Sequence, residues 1–272
     1  MRSAFLVPFL LIAGVAAAQD VPVHTVALNG IEMAYRDIGT GAPLVLLHGF
    51  GGCADDWEPF VETLSARYRL ILPEQRGHGH STNPGGRFTH RQSAADVLAL
   101  LDTLGVGRFK AIGISSGGMT LLHAATQDTA RVEALVLIGA APYFPEQARA
   151  VFRVSTPENL PDDVRQAYRD CAARGEAQAD ELMALCLGLQ HSYDDMTFTP
   201  PHLATIRART LIVHGDRDFF FPVEIPVEMY RAIPEAELWI VPGGGHVPIY
   251  NPAVPFAATA LRFLGGGEGT GP

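Results

Sequence analysis

A five-residue turn, Gly113–Gly117, constrains the fold of this chain more than any other feature of its sequence. It reads Gly-Ile-Ser-Ser-Gly and lies between a short apolar run, Phe109–Ile112, and a helix-like stretch. A turn that leads directly from a buried strand into a helix pushes its central residue, Ser115, toward positive φ, and a side chain at either flanking glycine would collide with the strand or the helix. The pattern therefore predicts a serine hydroxyl that stands alone at the end of a strand, beside the free amides of a helix N-terminus.

Two further strand-like segments end in residues that suit this serine as partners. Thr210–Val213 runs into a loop that contains Asp218, and Leu238–Val241 runs into a glycine-rich loop that contains His246. The carboxyl ends of parallel strands meet at one edge of a sheet, so residues far apart in sequence can converge there. A histidine can take the serine proton, and an aspartate can hold the imidazole and stabilise its charged form. The order predicts a triad of Ser115, Asp218 and His246.

A fourth strand-like segment is predicted to supply backbone donors to the same place. Leu44–Leu47 reads as a buried strand and runs into the glycine-rich segment His48–Gly52. We expect the backbone amides of Phe50 and Ser116 to hold an oxyanion together.

These segments together resemble the α/β-hydrolase superfamily, in its branch of esterases, haloperoxidases and epoxide hydrolases. The resemblance extends from about Val23 to Phe263. Haloalkane dehalogenases and epoxide hydrolases of this branch carry aspartate at the turn, so Ser115 argues against both. One departure is Glu74-Gln75 ahead of the arginine-glycine pair, where the family more often has an aspartate. The motifs that carry the resemblance are His48-Gly49, Arg76–Ser81, Gly113-x-Ser115-x-Gly117-Gly118, Gly215-Asp216-x-Asp218 with Pro222, and Gly245-His246.

The resemblance implies a serine hydrolase that cleaves carboxylic esters through an acyl-enzyme intermediate, without a cofactor. A lactonase or a cofactor-free perhydrolase would use the same machinery, and a ligand-binding protein on a hydrolase shell is the alternative of another class. Carbon–carbon bond hydrolases share the architecture, but their substrates are usually intracellular. The family's acid is the second aspartate of its motif, which favours Asp218 over Asp216.

The order of predicted elements implies an α/β fold, with a mostly parallel eight-stranded sheet that helices cover on both faces. Asn29-Gly30 is typical of a hairpin, which adds antiparallel strands at one edge. Strands are predicted at Val23–Leu28, Glu32–Asp37, Leu44–Leu47, Arg69–Leu72, Phe109–Ile112, Ala134–Ile138, Thr210–Val213 and Leu238–Val241. Helices are predicted at Trp57–Arg67, Arg91–Leu104, Ser116–Gln127, Val227–Ile233 and Pro252–Leu264.

Residues 141–205 interrupt the alternation and divide the expected hydrolase core into residues 19–140 and 206–264. They contain three amphipathic segments, near Pro145–Arg153, Pro161–Arg174 and Glu176–Gln190. This interval resembles the helical cap insertion of the family, which roofs the site. About half of the nearby aromatic residues are expected to face the substrate, since a single aromatic is often ordinary core. The candidate pocket residues are Tyr143, Phe144, Tyr193, Phe198 and Phe219, with Phe50, Phe220 and Phe221.

The two ends of the chain differ from the rest in composition. Residues 1–18 combine Arg2, the apolar run Ala4–Val15 and the small residues Ala16–Ala18, which predicts a cleaved signal peptide and a periplasmic or secreted protein. The apolar run is shorter than the roughly 20 residues that span a bilayer, so no stable membrane anchor is expected. The tail, residues 265–272, is glycine-rich and is expected to be disordered.

Charge and cysteines limit the partners. The formal net charge is −9 and no basic run occurs, so nucleic acid is not an expected partner, and a small-molecule ester or lactone is. No phosphate-binding loop or dinucleotide fingerprint is present, and His78-Gly79-His80 lacks a third ligand, so no cofactor and no metal are expected.

The chain has three cysteines, of which Cys171 and Cys186 lie on adjacent predicted helices. This leaves two alternatives open: a disulfide between Cys171 and Cys186, or three cysteines that are all small buried side chains. Cys53 is interpreted as packing.

Overall fold

The computed structural model describes residues 21–266. The predicted signal peptide, residues 1–18, lies outside the described residues, as does the expected disordered tail apart from Gly265 and Gly266. Within residues 21–266, no helix combines the length and the apolar content needed to cross a membrane.

The eight strands form a single sheet in the order β1-β2-β4-β3-β5-β6-β7-β8. Strands β3 to β8 pair in parallel, whereas β2 is antiparallel to both β1 and β4. Asn29 and Gly30 both have positive φ at the β1–β2 turn, 44° and 77°, as the hairpin signal requires. The predicted sheet, with its antiparallel edge, is therefore confirmed. The strands are β1 His24–Leu28, β2 Ile31–Ile38, β3 Ala42–Leu47, β4 Tyr68–Pro73, β5 Phe109–Ile114, β6 Val132–Ile138, β7 Arg209–Gly215 and β8 Ala236–Val241.

Helices cover both faces of the sheet, which places the hydrophobic core in two layers. Successive side chains of a strand point to opposite faces, so in β3 Val45 and Leu47 join the core layer of α2, α3 and α8, while Leu44 and Leu46 join that of α1 and α9. The helices are α1 Glu58–Ser65, α2 His90–Thr103, α3 Ser116–Gln127, α4 Glu146–Val154, α5 Asp162–Asp170, α6 Glu176–Gly188, α7 Pro200–Leu203, α8 Glu224–Ala232 and α9 Phe256–Leu264.

The chain between β6 and β7, residues 139–208, contains α4 to α7 and is called the insertion below. Helix α7 is a single turn. Prolines occupy its first two positions, where a missing N–H costs nothing. Tyr168 of α5 packs with Leu182 and Met183 of α6 in a small separate cluster. Phe50, from the loop after β3, packs against that cluster, so the insertion lies over this loop.

A disulfide joins the insertion to the loop after β3. It connects Cys53 with Cys171, at the C-terminal end of α5, and Cys186 is a free thiol. The interpretation of Cys53 as packing and the candidate Cys171–Cys186 pair are therefore both wrong. Sequence neighbourhood favoured the second pair, but the end of α5 packs against the loop, and the Cα atoms of the bonded cysteines are 5.4 Å apart despite a separation of 118 residues.

Candidate active site

Ser115 occupies a sharp turn between β5 and α3. Its φ is 48° and its ψ is −115°, a backbone conformation that residues with a side chain rarely adopt. A Cβ on Gly113 would lie 2.6 Å from the carbonyl carbon of Gly117, and a Cβ on Gly117 would lie 2.4 Å from the Leu47 carbonyl oxygen. Because both contacts are with backbone atoms that cannot move aside, glycine is required at the two flanking positions. The turn thereby projects the Ser115 hydroxyl above the sheet.

The structure brings Ser115, His246 and Asp218 into one hydrogen-bonded chain. His246 Nε2 lies 2.9 Å from Ser115 Oγ, and His246 Nδ1 lies 2.8 Å from Asp218 Oδ2. The three residues follow strands β5, β8 and β7, so they meet at the carboxyl edge of the sheet. The Asp218 side chain is fully buried, while 16% of the His246 side chain is exposed.

Asp218 is held as an ionised carboxylate. Its Oδ1 accepts hydrogen bonds from the amides of Phe220 and Phe221, at 2.8 and 3.1 Å. Burial acts to raise the pKa of Asp218, but the hydrogen bond and charge of His246 together with these two amides outweigh it and lower the pKa below its ordinary value. A carboxylate accepts hydrogen bonds only, so His246 Nδ1 carries a proton and Nε2 is left to accept from the serine.

The neighbouring carboxylate, Asp216, has a different contact. Its Oδ1 accepts a hydrogen bond from the Gly243 amide at 2.6 Å, in the loop that leads to His246. Asp216 therefore holds this loop through its backbone and does not contact the imidazole by any hydrogen bond among the described residues.

Two backbone amides lie beside the serine without a protein acceptor. Ser116 is the first residue of α3, where an amide has no acceptor within the helix. The Phe50 amide has no hydrogen-bond acceptor anywhere in residues 21–266. Gly49, which precedes Phe50, lies so close to the serine that a Cβ built on it would be 3.8 Å from Ser115 Cβ. The amides of Phe50 and Ser116 are therefore both available to donate to an oxygen atom next to Ser115 Oγ.

Gln75, part of the sequence departure, fixes this loop. Its amide donates to His48 Nε2 at 3.0 Å, and its side-chain nitrogen donates to the His48 carbonyl at 2.9 Å. Its side-chain oxygen accepts from the hydroxyls of Ser93 on α2 and Thr120 on α3, at 2.8 and 2.9 Å. Burial lowers the pKa of His48, so the ring is a neutral structural element.

Glu74 has a similar structural use. Its Oε2 accepts from the backbone amide of His80 at 2.7 Å and lies 3.0 Å from His80 Nδ1. Burial lowers the pKa of the neighbouring His78 well below its ordinary value. The His78-Gly79-His80 segment is therefore held as a turn by protein contacts.

A cavity of about 340 Å³ opens above Ser115 and His246. Its walls come from the loop after β3, the insertion and the loop after β7. Among the described residues that line it, there is no lysine or arginine, and the one carboxyl group is that of Asp56. The lining includes Phe50, Asp56, His90, Ile114, Ser115, Ser116, Met119, Phe144, Phe152, Val164, Tyr168, Cys186, Leu189, Phe220, Phe221, His246, Val247 and Tyr250.

Asp56, the acidic residue of the described lining, has a carboxyl group with a perturbed pKa. Burial is the main cause that raises its pKa to about 6, and the charge of Asp55 adds to the effect, while a hydrogen bond from the Cys53 backbone opposes it. No pattern in the sequence singles out this residue, because its place in the cavity depends on how the loop after β3 packs.

Four of the predicted pocket residues lie elsewhere. The Tyr143 hydroxyl donates to Glu228 at 2.7 Å, outside the cavity, whereas the adjacent Phe144 lines it. Phe198 is 3% exposed and is packed between the rings of His123 and His202. Tyr193 and Phe219 are 67% and 56% exposed; the first covers the Arg149 guanidinium and the second packs on Phe220. The predictions for Tyr143, Tyr193, Phe198 and Phe219 as cavity walls are therefore wrong, since long-range packing decides which aromatic faces inward.

One group of potential metal ligands occurs between residues 21 and 266. It consists of Cys53, Asp56 and Cys171, beside the cavity. Metal binding by cysteine requires a thiolate, and both sulfurs are bonded to each other in the disulfide. The described chain therefore offers only the carboxylate of this group as a ligand.

Comparison with known proteins places the chain in a family. The family model described as alpha/beta hydrolase fold matches residues 42–178. The chain is 30% identical to a 2-hydroxy-6-oxononadienedioate/2-hydroxy-6-oxononatrienedioate hydrolase of Burkholderia vietnamiensis, over 90% of this chain and 99% of that protein. It is 29% identical to a non-heme haloperoxidase of Rhodococcus erythropolis, over 81% and 91%. The structure of an enol-lactonase from Burkholderia xenovorans superposes with a TM-score of 0.73 at 25% identity, over 89% and 100%. The chain belongs to the alpha/beta hydrolase fold family.

Proposed function

We propose that this protein is an exported serine hydrolase that cleaves uncharged carboxylic esters through an acyl-enzyme intermediate. The observation that carries the proposal is the continuous hydrogen-bonded chain from Asp218 through His246 to Ser115, which opens into an apolar cavity. A serine hydroxyl is a weak nucleophile by itself, and an adjacent base that is oriented by a third group makes it reactive.

In the first half of the reaction Ser115 becomes acylated. Its Oγ attacks the ester carbonyl carbon while His246 Nε2 takes the hydroxyl proton. The carbonyl π electrons move to the oxygen, and the amides of Phe50 and Ser116 stabilise the resulting oxyanion. The carbon–oxygen bond to the alcohol then breaks, and His246 gives its proton to the departing alcohol.

In the second half water restores the enzyme. His246 takes a proton from a water molecule whose oxygen adds to the acyl carbon, and the same two amides stabilise the second oxyanion. The bond to Ser115 Oγ breaks, the serine recovers its proton from His246, and the carboxylic acid leaves. Asp218 stays ionised throughout, because the hydrogen bonds it accepts lower its pKa, and its charge stabilises the imidazolium form.

The charge of the cavity favours an uncharged ester over a dianion. In the part of the chain that is described, Asp56 lines the cavity and no cationic side chain does. The relative from Burkholderia vietnamiensis is named as a hydrolase of dioates, which carry two carboxylates. A dianion would lose its hydration here without meeting a positive charge, so this substrate class is not favoured.

Two variants of the reaction use the same residues. A lactone is a cyclic ester, and likeness to the enol-lactonase of Burkholderia xenovorans supports testing it as a substrate. Likeness to the haloperoxidase of Rhodococcus erythropolis supports testing peroxide as the acceptor in place of water, which would yield a peracid. Neither variant changes the roles proposed for Ser115 and His246.

Export is proposed from residues 1–18, and the Cys53–Cys171 disulfide supports it, because disulfides persist in oxidising compartments. The mature protein is expected to begin at Gln19 or within a few residues of it, in a periplasmic or extracellular fraction. N-terminal sequencing of the protein from its own host tests this. Recovery of the full-length chain from cytosol, with Met1 or Arg2 at its start, would overturn the export proposal.

A panel of p-nitrophenyl esters of increasing acyl length, with lactones and hemisuccinate esters included, tests the substrate proposal. Neutral esters are expected to be hydrolysed with a clear optimum in acyl length, and hemisuccinates much more slowly. A ligand-binding protein on a hydrolase shell would hydrolyse none of them and would leave Ser115 unlabelled by a fluorophosphonate.

A further inference from the structure

A second chain of serine, histidine and aspartate lies beside the first. His90 Nε2 is 3.1 Å from Ser116 Oγ, and His90 Nδ1 is 2.7 Å from Asp195 Oδ2. Ser116 directly follows Ser115, and Ser116 and His90 both line the cavity. The steps of ester hydrolysis use the Ser116 backbone amide, but they do not involve its hydroxyl, His90 or Asp195.

The contacts of Asp195 fix the direction of these hydrogen bonds. Its Oδ2 also accepts from the His90 backbone amide at 2.7 Å, and its Oδ1 accepts from the Arg91 amide at 3.1 Å. Burial acts to raise the pKa of Asp195, but the hydrogen bonds and charge of His90 and the two amides outweigh it and lower the pKa. An ionised carboxylate only accepts hydrogen bonds, so His90 Nδ1 carries a proton, and in that tautomer Nε2 accepts from the Ser116 hydroxyl.

Burial argues that this second chain positions a group and does not attack the substrate. Ser116, His90 and Asp195 are 3%, 0% and 4% exposed. The Ser116 hydroxyl is committed to His90 and lies in the first turn of α3, without the positive φ that projects Ser115. These hydrogen bonds also connect three parts of the fold, because Asp195 belongs to the insertion, His90 begins α2 and Ser116 begins α3.

We propose that His90 and Asp195 are positioning residues for ester hydrolysis, which fix the oxyanion-binding amide of Ser116 through its side chain. The inference rests on the proposed function. Oxyanion donors act at about 2.7–3.1 Å from the oxygen, and a misplacement of about 1 Å can cost roughly 10²-fold in rate. Holding the Ser116 side chain from α2 and from the insertion keeps the first turn of α3, and hence this amide, in place.

Two substitutions remove the hydrogen bond between Ser116 and His90, one from each of its partners. Ser116→Ala removes the hydroxyl, and His90→Asn keeps a polar atom near the Nδ1 position, toward Asp195, but loses the contact with Ser116. Each is expected to lower kcat about 10-fold with KM within about twofold, since an oxyanion donor acts more strongly in the transition state than on the bound ester. The double variant should be no slower than the slower single variant, because both changes remove one interaction.

His123→Gln is the matched control. His123 Nε2 lies 2.9 Å from the Asp195 carbonyl oxygen and is buried beside the same aspartate, but it has no hydrogen bond with Ser116. It is expected to lower the unfolding temperature and to leave kcat of the folded protein unchanged. A drop in kcat of the folded protein as large as that of Ser116→Ala would mean that any disturbance beside Asp195 lowers the rate while the Ser116–His90 hydrogen bond is intact, which would overturn the proposal.

The rate of labelling by a fluorophosphonate gives a second readout that does not need ester turnover. The phosphonyl oxygen requires the same two amides, so labelling of Ser115 should slow in parallel with kcat in both variants. Wild-type kcat and labelling rate in Ser116→Ala would overturn the proposal even if His90→Asn failed to fold. Label on Ser116 in Ser115→Ala protein would overturn it too, by making Ser116 a nucleophile. A wild-type protein that neither hydrolyses esters nor becomes labelled would instead overturn the proposed function on which the inference rests.

Discussion

Asp218 Oδ2 lies 2.8 Å from His246 Nδ1, whereas Asp216, two residues earlier, accepts the Gly243 amide at 2.6 Å. The two carboxylates thus hold the same loop in different ways, one through the imidazole and the other through the backbone. This difference separates a proposed catalytic role from a structural one.

Asp218→Asn is expected to lower ester turnover about 10⁴-fold, because the imidazole loses its orienting anion and adopts the wrong tautomer. Asp216→Asn should weaken one hydrogen bond and lower the free energy of unfolding by about 1 kcal/mol, while the folded enzyme stays active. Steady-state kinetics measures the turnover of both purified variants, and denaturant unfolding measures their stability. The reverse ranking would make Asp216 the acid of the triad.

The disulfide is expected to stabilise the protein. Closing a loop with a separation of 118 residues is worth up to about 5 kcal/mol in the chain-entropy model. Reduction should lower the unfolding temperature of the wild type and of Cys186→Ala by similar amounts, but should not change that of the Cys53→Ser/Cys171→Ser double variant. Thiol titration of denatured protein should give one thiol before reduction and three after it. Three thiols in unreduced protein purified from an oxidising compartment would show that the bond does not form.

Asp56 is expected to make stability depend on pH. Its pKa is about 6 in the folded state, whereas an ordinary aspartate, as in the unfolded chain, has a pKa of 3.8. Between these two pH values the folded protein therefore binds more protons than the unfolded one. Stability from this group is therefore greatest below about pH 4 and is lost as pH rises through about 6, by roughly 3 kcal/mol at most. Asp56→Asn removes the loss.

Denaturant unfolding of the wild type and Asp56→Asn at pH 4 and pH 8 tests this expectation. The variant should gain stability relative to the wild type at the higher pH, and its kcat/KM for hemisuccinate esters should rise more than that for neutral esters, because the cavity loses its negative charge. An equal stability difference at both pH values would show that the Asp56 carboxyl is not perturbed.

Phe144 and Phe198 form a matched pair for locating the substrate. Phe144 lines the cavity, and Phe198 lies outside it. Phe144→Ala is expected to shift the preference from butanoate toward octanoate esters, because the removed ring leaves room for a longer acyl chain. Phe198→Ala should cost about 3–5 kcal/mol of unfolding free energy, as for a buried aromatic, and leave the ratio of the two kcat/KM values unchanged. A shift in that ratio for Phe198→Ala alone would place the acyl chain against Phe198 and outside this cavity.

The sheet could be predicted from sequence because its signals are local. Buried parallel strands such as Leu44–Leu47 are short apolar runs, and Asn29-Gly30 specifies its turn by backbone conformation alone. The convergence of Ser115, Asp218 and His246 follows from the rule that parallel strands end at one edge, and the structure has them in contact.

The cavity walls and the disulfide could not be predicted in this way. Tyr143 and Phe144 are adjacent, yet only the second lines the cavity. Cys53 meets Cys171, and His90 meets Asp195 at a separation of 105 residues, only because the insertion folds over the loop after β3 and the start of α2. Such contacts depend on packing between distant segments, for which a single sequence carries no periodic signal.

Ser115 is proposed to form an acyl-enzyme with His246 as its base. Rapid quenching of the purified protein with a slowly turned-over p-nitrophenyl ester, followed by peptide mass spectrometry, measures this directly. We expect a burst of p-nitrophenol that matches the enzyme concentration and an acyl group on Ser115, and neither of them in Ser115→Ala. His246→Ala should lose turnover as fully, and the double variant no more, because members of a triad act as a unit. Ester turnover by Ser115→Ala, or an acyl group on another residue of the wild type, would contradict it.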